Sequence, residues 1–259
     1  EGAVPATIGV LDGVARIGLT EAQLDRLAAG EEVAKLSARD LGPALAAGVD
    51  GATTVAATIA LGARSGIRVM ATGGLGGVHL GAERSRDVSA DLSQLRASPV
   101  MVVASGVKSV LDVRATLEEL ETLGVPVIGY RSRRLAGFLI ADGGQDLAWS
   151  VDSPEAAAAV ARSHWGLGPG RGGLLLSNPV GEEWQLDPRL HRRLLEEAVA
   201  RAGAEGVVGG AATPFLLQQL QQGSGGRSVE VNRRLVLENA RLAAQVARAL
   251  HLPQVGAGG

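Results

Sequence analysis

The chain alternates between two hydrophobic periods, and this alternation predicts an α/β protein. Short runs of branched apolar residues are typical of strands, and apolar residues three or four positions apart are typical of amphipathic helices. Strands are predicted at residues 4–11, 14–18, 33–36, 67–71, 100–104, 125–130, 138–141 and 174–177. Helices are predicted at residues 20–28, from 37 onward, and at 53–63, 87–96, 109–123, 153–165, 187–202, 213–223 and 228–250.

The order of these elements predicts a single domain over residues 1–259 with a three-layer α/β/α fold. Because strands alternate with helices, the central sheet should be largely parallel. The turn Asp12-Gly13 lies between two predicted strands and is a hairpin signal, so an antiparallel pair should make the sheet mixed. We expect the segment 254–259, after the last helix, to fray.

The composition excludes several classes of function. Of the 259 residues, 46% are hydrophobic and 20% are charged, and the formal net charge is −2, which gives no basic surface for nucleic acid. Aromatic residues make up only 2%, too few for a base-stacking platform. No apolar run reaches the roughly 18 residues of a membrane span, so no membrane partner is expected. The absence of cysteine excludes thiolate chemistry and fits a cytoplasmic protein.

The two lysines are candidate functional residues. The chain has 25 basic side chains, and all except Lys35 and Lys108 are arginines. Lysine can lose its proton and attack a carbonyl carbon, whereas arginine stays charged. Lys108 follows an apolar strand and precedes a predicted helix, so burial and the helix dipole should both lower its pKa. Lys35 could bind a phosphate or lower the pKa of the other lysine. The alternative is that both are surface residues without a role.

A glycine-rich loop, Thr72–His79, follows one predicted strand. Glycines allow backbone N–H groups to approach an anion such as phosphate, and the alternative is an ordinary tight turn. The loop matches no dinucleotide or P-loop motif. His79, at its end, is either a site residue or a hydrogen-bonded structural one.

Asp87 and Asp91 are four residues apart in a predicted helix. On a helix they would share one face, where two carboxylates and water suit Mg²⁺ or Mn²⁺. The alternative is ordinary capping, with Ser89 as the N-cap and the acidic residues in the first turn.

Several sequence blocks together resemble the pseudouridine-5′-phosphate glycosidase family, also called the indigoidine synthase A-like family. They are spread over nearly the whole chain. The longest is the run ATGGLGGVHLGAE, which contains the glycine-rich loop. The blocks are Val4–Ile8, Lys35–Leu41, Gly51–Ala56, Ala71–Glu83, Asp87–Leu92, Gly106–Asp112, Gly124–Tyr130, Ser177–Pro179 and Thr213–Leu217.

The resemblance implies a lyase that reversibly cleaves the C–C glycosidic bond of pseudouridine 5′-phosphate to uracil and ribose 5-phosphate. It also implies that a lysine, here Lys108, opens the ribose ring and holds the sugar as a Schiff base. One Mn²⁺ per subunit would be held through Asp87 and water, and the family is homotrimeric. The residues implied to contact the substrate are Lys35, Val55, Ser89, Ala90 and Asp91, followed by Thr72, His79 and Asn232.

The chain departs from the family pattern at its start. In the family, the proton donor is a glutamate in a Glu-Ser-Thr segment that precedes the block matching Val4–Ile8, and that segment is not found here. Either the natural protein has residues before Glu1, as we expect from a chain that starts without Met, or it lacks this acid, so we assign none. Two other functions stay open: another Schiff-base phosphosugar lyase, such as an aldolase, and a sugar-phosphate-binding member without catalysis.

Overall fold

The computed structural model describes residues 1–251, and its centre is a five-stranded sheet. The strands of this sheet are all parallel and lie in the order β5-β6-β9-β7-β8. Parallel strands need both faces covered, which explains why β6 and β9 are buried throughout and almost entirely apolar. The strands are β5 Val69–Ala71, β6 Met101–Ala104, β7 Val127–Tyr130, β8 Trp149–Val151 and β9 Leu174–Ser177.

Helices cover the two faces of this sheet, so the expected α/β class and parallel central sheet are confirmed. Alternate residues of β6 point to opposite faces. Met101 and Val103 pack with helices α7 and α10, whereas Val102 packs with α3, α5 and α6. The ten helices of the described part are α1 Glu21–Ala29, α2 Leu41–Ala47, α3 Val55–Arg64, α4 Ala82–Ser85, α5 Ala90–Ala97, α6 Val113–Thr122, α7 Pro154–Gly166, α8 Pro188–Ala204, α9 Ala212–Gly223 and α10 Arg227–His251.

The predicted hairpin forms, but in a second sheet. Strands β1 (Ile8–Leu11) and β2 (Val14–Ile17) pair antiparallel, and β1 also pairs with β4 (Gly51–Thr53). Strand β3 (Ala34–Leu36) completes the order β2-β1-β4-β3. The mixed pairing that we expected in the central sheet therefore belongs to this smaller sheet, and the central sheet is purely parallel.

Two helix starts and one predicted strand near the site differ from the sequence prediction. Helix α5 begins at Ala90 and not at 87, because Ser89 caps it by accepting the N–H of Asp91. Helix α6 begins at Val113 and not at 109, because Asp112 accepts the N–H of Ala115. The predicted strand 138–141 is an irregular segment, and the short elements α4 and β8 were not predicted. The segment 254–259, which we expected to fray, lies outside the described residues.

A third apolar cluster lies beyond the carboxyl ends of the central strands. Helices α8 and α9 contribute Leu194, Leu216 and Leu220, which pack on Val110 and Phe138 from the loops that follow β6 and β7. This cluster supports the irregular backbone that carries the predicted site. No helix within residues 1–251 is both long and apolar enough to cross a membrane.

Candidate active site

The predicted site residues converge where β5 and β6 end. Parallel strands present their carboxyl ends at one edge of a sheet, which is where open α/β sheets place ligands. The glycine-rich loop Thr72–His79 leaves β5, and the segment Ser105–Asp112 leaves β6 beside it. The two are joined by backbone hydrogen bonds: Leu75 donates to Gly106 at 2.9 Å, and Lys108 donates to Leu75 at 3.0 Å.

Glycines in the loop allow polar side chains to touch its backbone. A methyl group on Gly76 would lie 2.5 Å from Oδ2 of Asp91, and one on Gly74 would lie 3.1 Å from Cγ of Lys108. Any larger residue would displace these groups. The glycine run is therefore required by close approach, as the sequence suggested.

The group that approaches the loop most closely is the protein's own carboxylate. Asp91 is 5% exposed, and its Oδ2 accepts the N–H of Gly76 at 2.9 Å. Its Oδ1 accepts the N–H of Ala56 at 2.8 Å, in the first turn of α3. One carboxylate thus connects α3, the loop and α5. Because the Gly76 N–H already donates to Asp91, the anion held at this position of the loop is a carboxylate of the protein itself.

Lys108 is a partly buried amine whose pKa is lowered. Burial is the main cause, the Lys35 ammonium contributes in the same direction, and the Asp91 carboxylate opposes them. Lys35 lies exposed in β3. Its charge and that of Asp91 both act on the Lys108 amine, so the three side chains lie near one another. The helix-dipole argument was wrong, because α6 begins five residues after Lys108. Lys108 lies in a loop, and burial lowers its pKa.

Asp87 and Asp91 do not share a helical face, which corrects that hypothesis. Asp87 precedes α5 in a segment that runs antiparallel to the end of the glycine-rich loop, with Val88 bridged to Val78. Its Oδ2 lies 3.8 Å from Nδ1 of His79, and its carbonyl accepts the N–H of His79 at 3.0 Å. The carboxylate of Asp87 is partly exposed, whereas that of Asp91 is occupied by two backbone N–H groups. Of these two residues, Asp87 is the one whose oxygens are open to a cation.

The other predicted residues surround the same loop. Ser89 and Ala90 begin α5, and the Ser89 N–H donates to Gly77 at 2.9 Å. Asn232, on α10, has its Oδ1 3.1 Å from the position of a methyl group on Gly73. The side chain of Val55 belongs to the core, so only its backbone at the start of α3 could contact a ligand.

Thr72 leads to a polar network that sequence reasoning missed. Its carbonyl accepts from Nδ2 of Asn239 at 2.8 Å, and the same amide lies 3.1 Å from Ser105 Oγ and accepts from Asn178. Asn239 is fully buried on the apolar stripe of α10, between Leu235 and Leu242. The sequence does carry a signal for this network, because Asn239 is a polar residue at a core position of an amphipathic helix.

Ser109 and His191 form a second unpredicted contact, directly beside Lys108. Ser109 Oγ lies 2.8 Å from Nε2 of His191, a buried residue on α8. Burial lowers the pKa of His191 below its ordinary value, so the ring stays neutral in the fold. The contact attaches the loop that carries Lys108 to α8.

This burial predicts a pH-dependent stability. Below pH 6.5 the unfolded chain protonates His191 more than the folded protein does, so stability contributed by the neutral ring is lost as the pH falls. We expect the free energy of unfolding to drop more between pH 7.5 and 5.5 in the wild type than in His191→Gln, by at most ~1.4 kcal/mol per pH unit. Urea titrations at both pH values measure this. Parallel losses in the two proteins would contradict it.

Comparison with known proteins identifies the family of this chain. The family model "Indigoidine synthase A like protein" matches residues 1–249. A pseudouridine-5′-phosphate glycosidase of Salinispora tropica is 56% identical over 95% of this chain and 76% of its own length. A second, from Saccharopolyspora erythraea, is 51% identical over 96% of this chain and 82% of its own length.

Two solved structures share the fold. The prealnumycin C-glycosynthase AlnA, in complex with ribulose 5-phosphate, superposes with a TM-score of 0.90 and 43% identity, covering 96% of this chain and 82% of its own. An indigoidine synthase A-like protein of Thermotoga maritima gives a TM-score of 0.85 and 36% identity, over 93% and 79% of the two chains. The resemblance found in the sequence blocks is thus confirmed along the chain, and the protein belongs to the indigoidine synthase A-like family.

Proposed function

We propose that this protein is a pseudouridine-5′-phosphate glycosidase, which reversibly converts pseudouridine 5′-phosphate to uracil and ribose 5-phosphate. The observation that carries the proposal is the partly buried Lys108, whose lowered pKa favours the neutral amine that a nucleophile needs, beside the second lysine and Asp91. It lies in a chain 56% identical to a relative of that name. The proposal includes a homotrimer acting in the cytoplasm, and sedimentation equilibrium tests the assembly.

The proposed reaction uses Lys108 as a covalent nucleophile. Its neutral Nζ attacks C1′ of the ribose, and the ring oxygen leaves with the electron pair of its bond to C1′. The nitrogen then loses a proton, which restores its lone pair, and the ring oxygen takes up a proton to become a hydroxyl. The uracil carbon then takes up a proton, and the C1′–C bond breaks with its electrons passing into the uracil. The nitrogen lone pair forms the C=N bond of the Schiff base, and water hydrolyses this to release ribose 5-phosphate. The carbon of the leaving uracil has no lone pair that could be protonated. The lone pair of the lysine nitrogen therefore assists the cleavage of the C1′–C bond.

Lys35 has a different role in this proposal. Its ammonium is exposed, so it keeps the compact charge that suits a phosphate. The same charge disfavours the protonated form of Lys108. Lys35 would thus bind the substrate and help to keep the nucleophile neutral.

The residues present fit a divalent cation such as Mn²⁺. Asp87 has open carboxylate oxygens, and its neighbour His79 offers an imidazole nitrogen 3.8 Å away. Among residues 1–251 no three His, Asp or Glu side chains converge, which suits an ion that keeps most of its water. Asp87 would hold the ion, with His79 close by. When bound, Mn²⁺ would orient water and the oxygens of the sugar phosphate.

This arrangement predicts a selective effect of Asp87→Asn. We expect the Mn²⁺ concentration for half-maximal activity to rise about 10-fold or more, because the negative charge of the carboxylate proposed to hold the ion is lost. Direct Mn²⁺ binding, followed by electron paramagnetic resonance of the free ion, should weaken in parallel. Unchanged binding in this variant would exclude Asp87 as the ligand.

Two measurements test the proposed function. The first is uracil release from pseudouridine 5′-phosphate, together with its reverse from uracil and ribose 5-phosphate. The second is borohydride reduction with ribose 5-phosphate, read by peptide mass spectrometry, which should give an adduct on Lys108. An aldolase would instead cleave other sugar phosphates without forming uracil. Sugar binding without turnover or adduct would indicate a non-catalytic member.

A further inference from the structure

Phe138 has an unusual backbone conformation beside the site. Its φ is +65°, in the left-handed region that aromatic residues rarely occupy. Such a strained conformation persists only where the surrounding structure enforces it. Here the Phe138 N–H donates to the carbonyl of Ser105 at 2.9 Å, which ties the residue to the segment that leads to Lys108.

The ring that this conformation positions touches the same surface as the lysine. A methyl group on Gly74 would lie 2.8 Å from Cδ2 of Phe138 and 3.1 Å from Cγ of Lys108. The aromatic ring and the aliphatic stem of the lysine therefore lie together on the glycine-rich loop. Phe138 is 4% exposed, and it also lines a cavity of about 250 Å³ with Asn232 and Ser228.

We infer that Phe138 is a positioning residue whose ring keeps water from the Lys108 side chain and fixes the path of its stem. The inference rests on the proposed role of Lys108 as nucleophile. The cavity that Phe138 lines also has Asn232 and Ser228 among its lining residues, so removing the ring would open this cavity, with its polar groups, towards the lysine.

The charges around Lys108 oppose each other, so apolar groups such as this ring matter for the pKa of the lysine. The ionic groups acting on the amine are the Asp91 carboxylate from α5 and the Lys35 ammonium from β3, and they act in opposite directions. Burial is the largest influence, so the neutral state depends on the apolar groups that enclose the lysine. Phe138 is a large apolar side chain in contact with the same glycine as the lysine stem.

The test measures the protonation of Lys108 without requiring turnover. Trace acetylation with acetic anhydride modifies only neutral amines, and the chain has just two lysines, so peptide mass spectrometry separates Lys108 from Lys35. In Phe138→Ala we expect the labelling curve of Lys108 to move about one unit to higher pH. At pH 7 this is a roughly tenfold slower reaction, while the curve of Lys35 stays in place.

Two further variants distinguish the effect of removing the ring from the effect of the strained backbone. Phe138→Leu keeps apolar bulk and the strained φ, and should label like the wild type. Phe138→Gly removes the ring and also relieves the strain, so it should fold even if the alanine variant does not, and should show the same shift. A wild-type Lys108 curve in Phe138→Gly or Phe138→Ala would overturn the inference. If the proposed function alone is wrong, the labelling shift occurs while uracil release and the borohydride adduct are absent from the wild type.

Discussion

Lys108→Arg is expected to abolish uracil release and the borohydride adduct together. Arginine keeps the positive charge and much of the stem, but its guanidinium stays protonated and cannot form the Schiff base. Loss of a covalent nucleophile lowers kcat on the order of 10⁴-fold or more. Uracil release and the mass of the borohydride adduct should be measured on the same preparation of the variant.

Lys35→Arg is the matched control for that variant. It makes the same change of side chain at an exposed position, where only charge is required. We expect a KM for pseudouridine 5′-phosphate within about 10-fold of the wild type and a full adduct on Lys108. Substantial uracil release by Lys108→Arg would refute the proposed nucleophile. An adduct that disappears only in Lys35→Arg would assign the Schiff base to the other lysine.

Asp91→Asn is expected to destabilise the protein by about 3 kcal/mol. The two carboxylate oxygens of this buried residue each accept a backbone N–H, from Ala56 and Gly76. An amide has only one oxygen, so one of these N–H groups would face the NH₂ of the new side chain. Hydrogen bonds to charged groups contribute roughly 1.5–3 kcal/mol each, and a buried unpaired donor adds to the loss. Urea unfolding at pH 7 measures the change.

The same variant should change the neighbouring lysine. Asp91 raises the pKa of Lys108, so removing its charge lowers that pKa further and speeds acetylation of Lys108 at neutral pH. Asp87→Asn is the control, because that carboxylate is partly exposed, and its unfolding free energy should stay within about 0.5 kcal/mol of the wild type. Equal destabilisation by the two variants would show that Asp91 is not the connection between α3, the loop and α5.

Local patterns in the sequence determined much of the fold. The apolar period and the helix caps located four of the five central strands and most helices, because a strand such as Met101–Ala104 or an N-cap such as Thr20 is specified within a few residues. The rarity of lysine singled out Lys35 and Lys108, and the glycine run located the loop between them. The sequence blocks identified the family, which the comparisons confirmed.

Only the tertiary structure decided which groups act on each other. Asp87 and Asp91 have the spacing of one helical face, yet capping by Ser89 starts the helix after Asp87 and turns Asp91 towards backbone N–H groups from two other elements. The ring of Phe138 and the buried Asn239 reach the site from distant parts of the chain. Burial and hydrogen-bond partners depend on residues that fold together from separate segments, so no local pattern in the sequence specifies them.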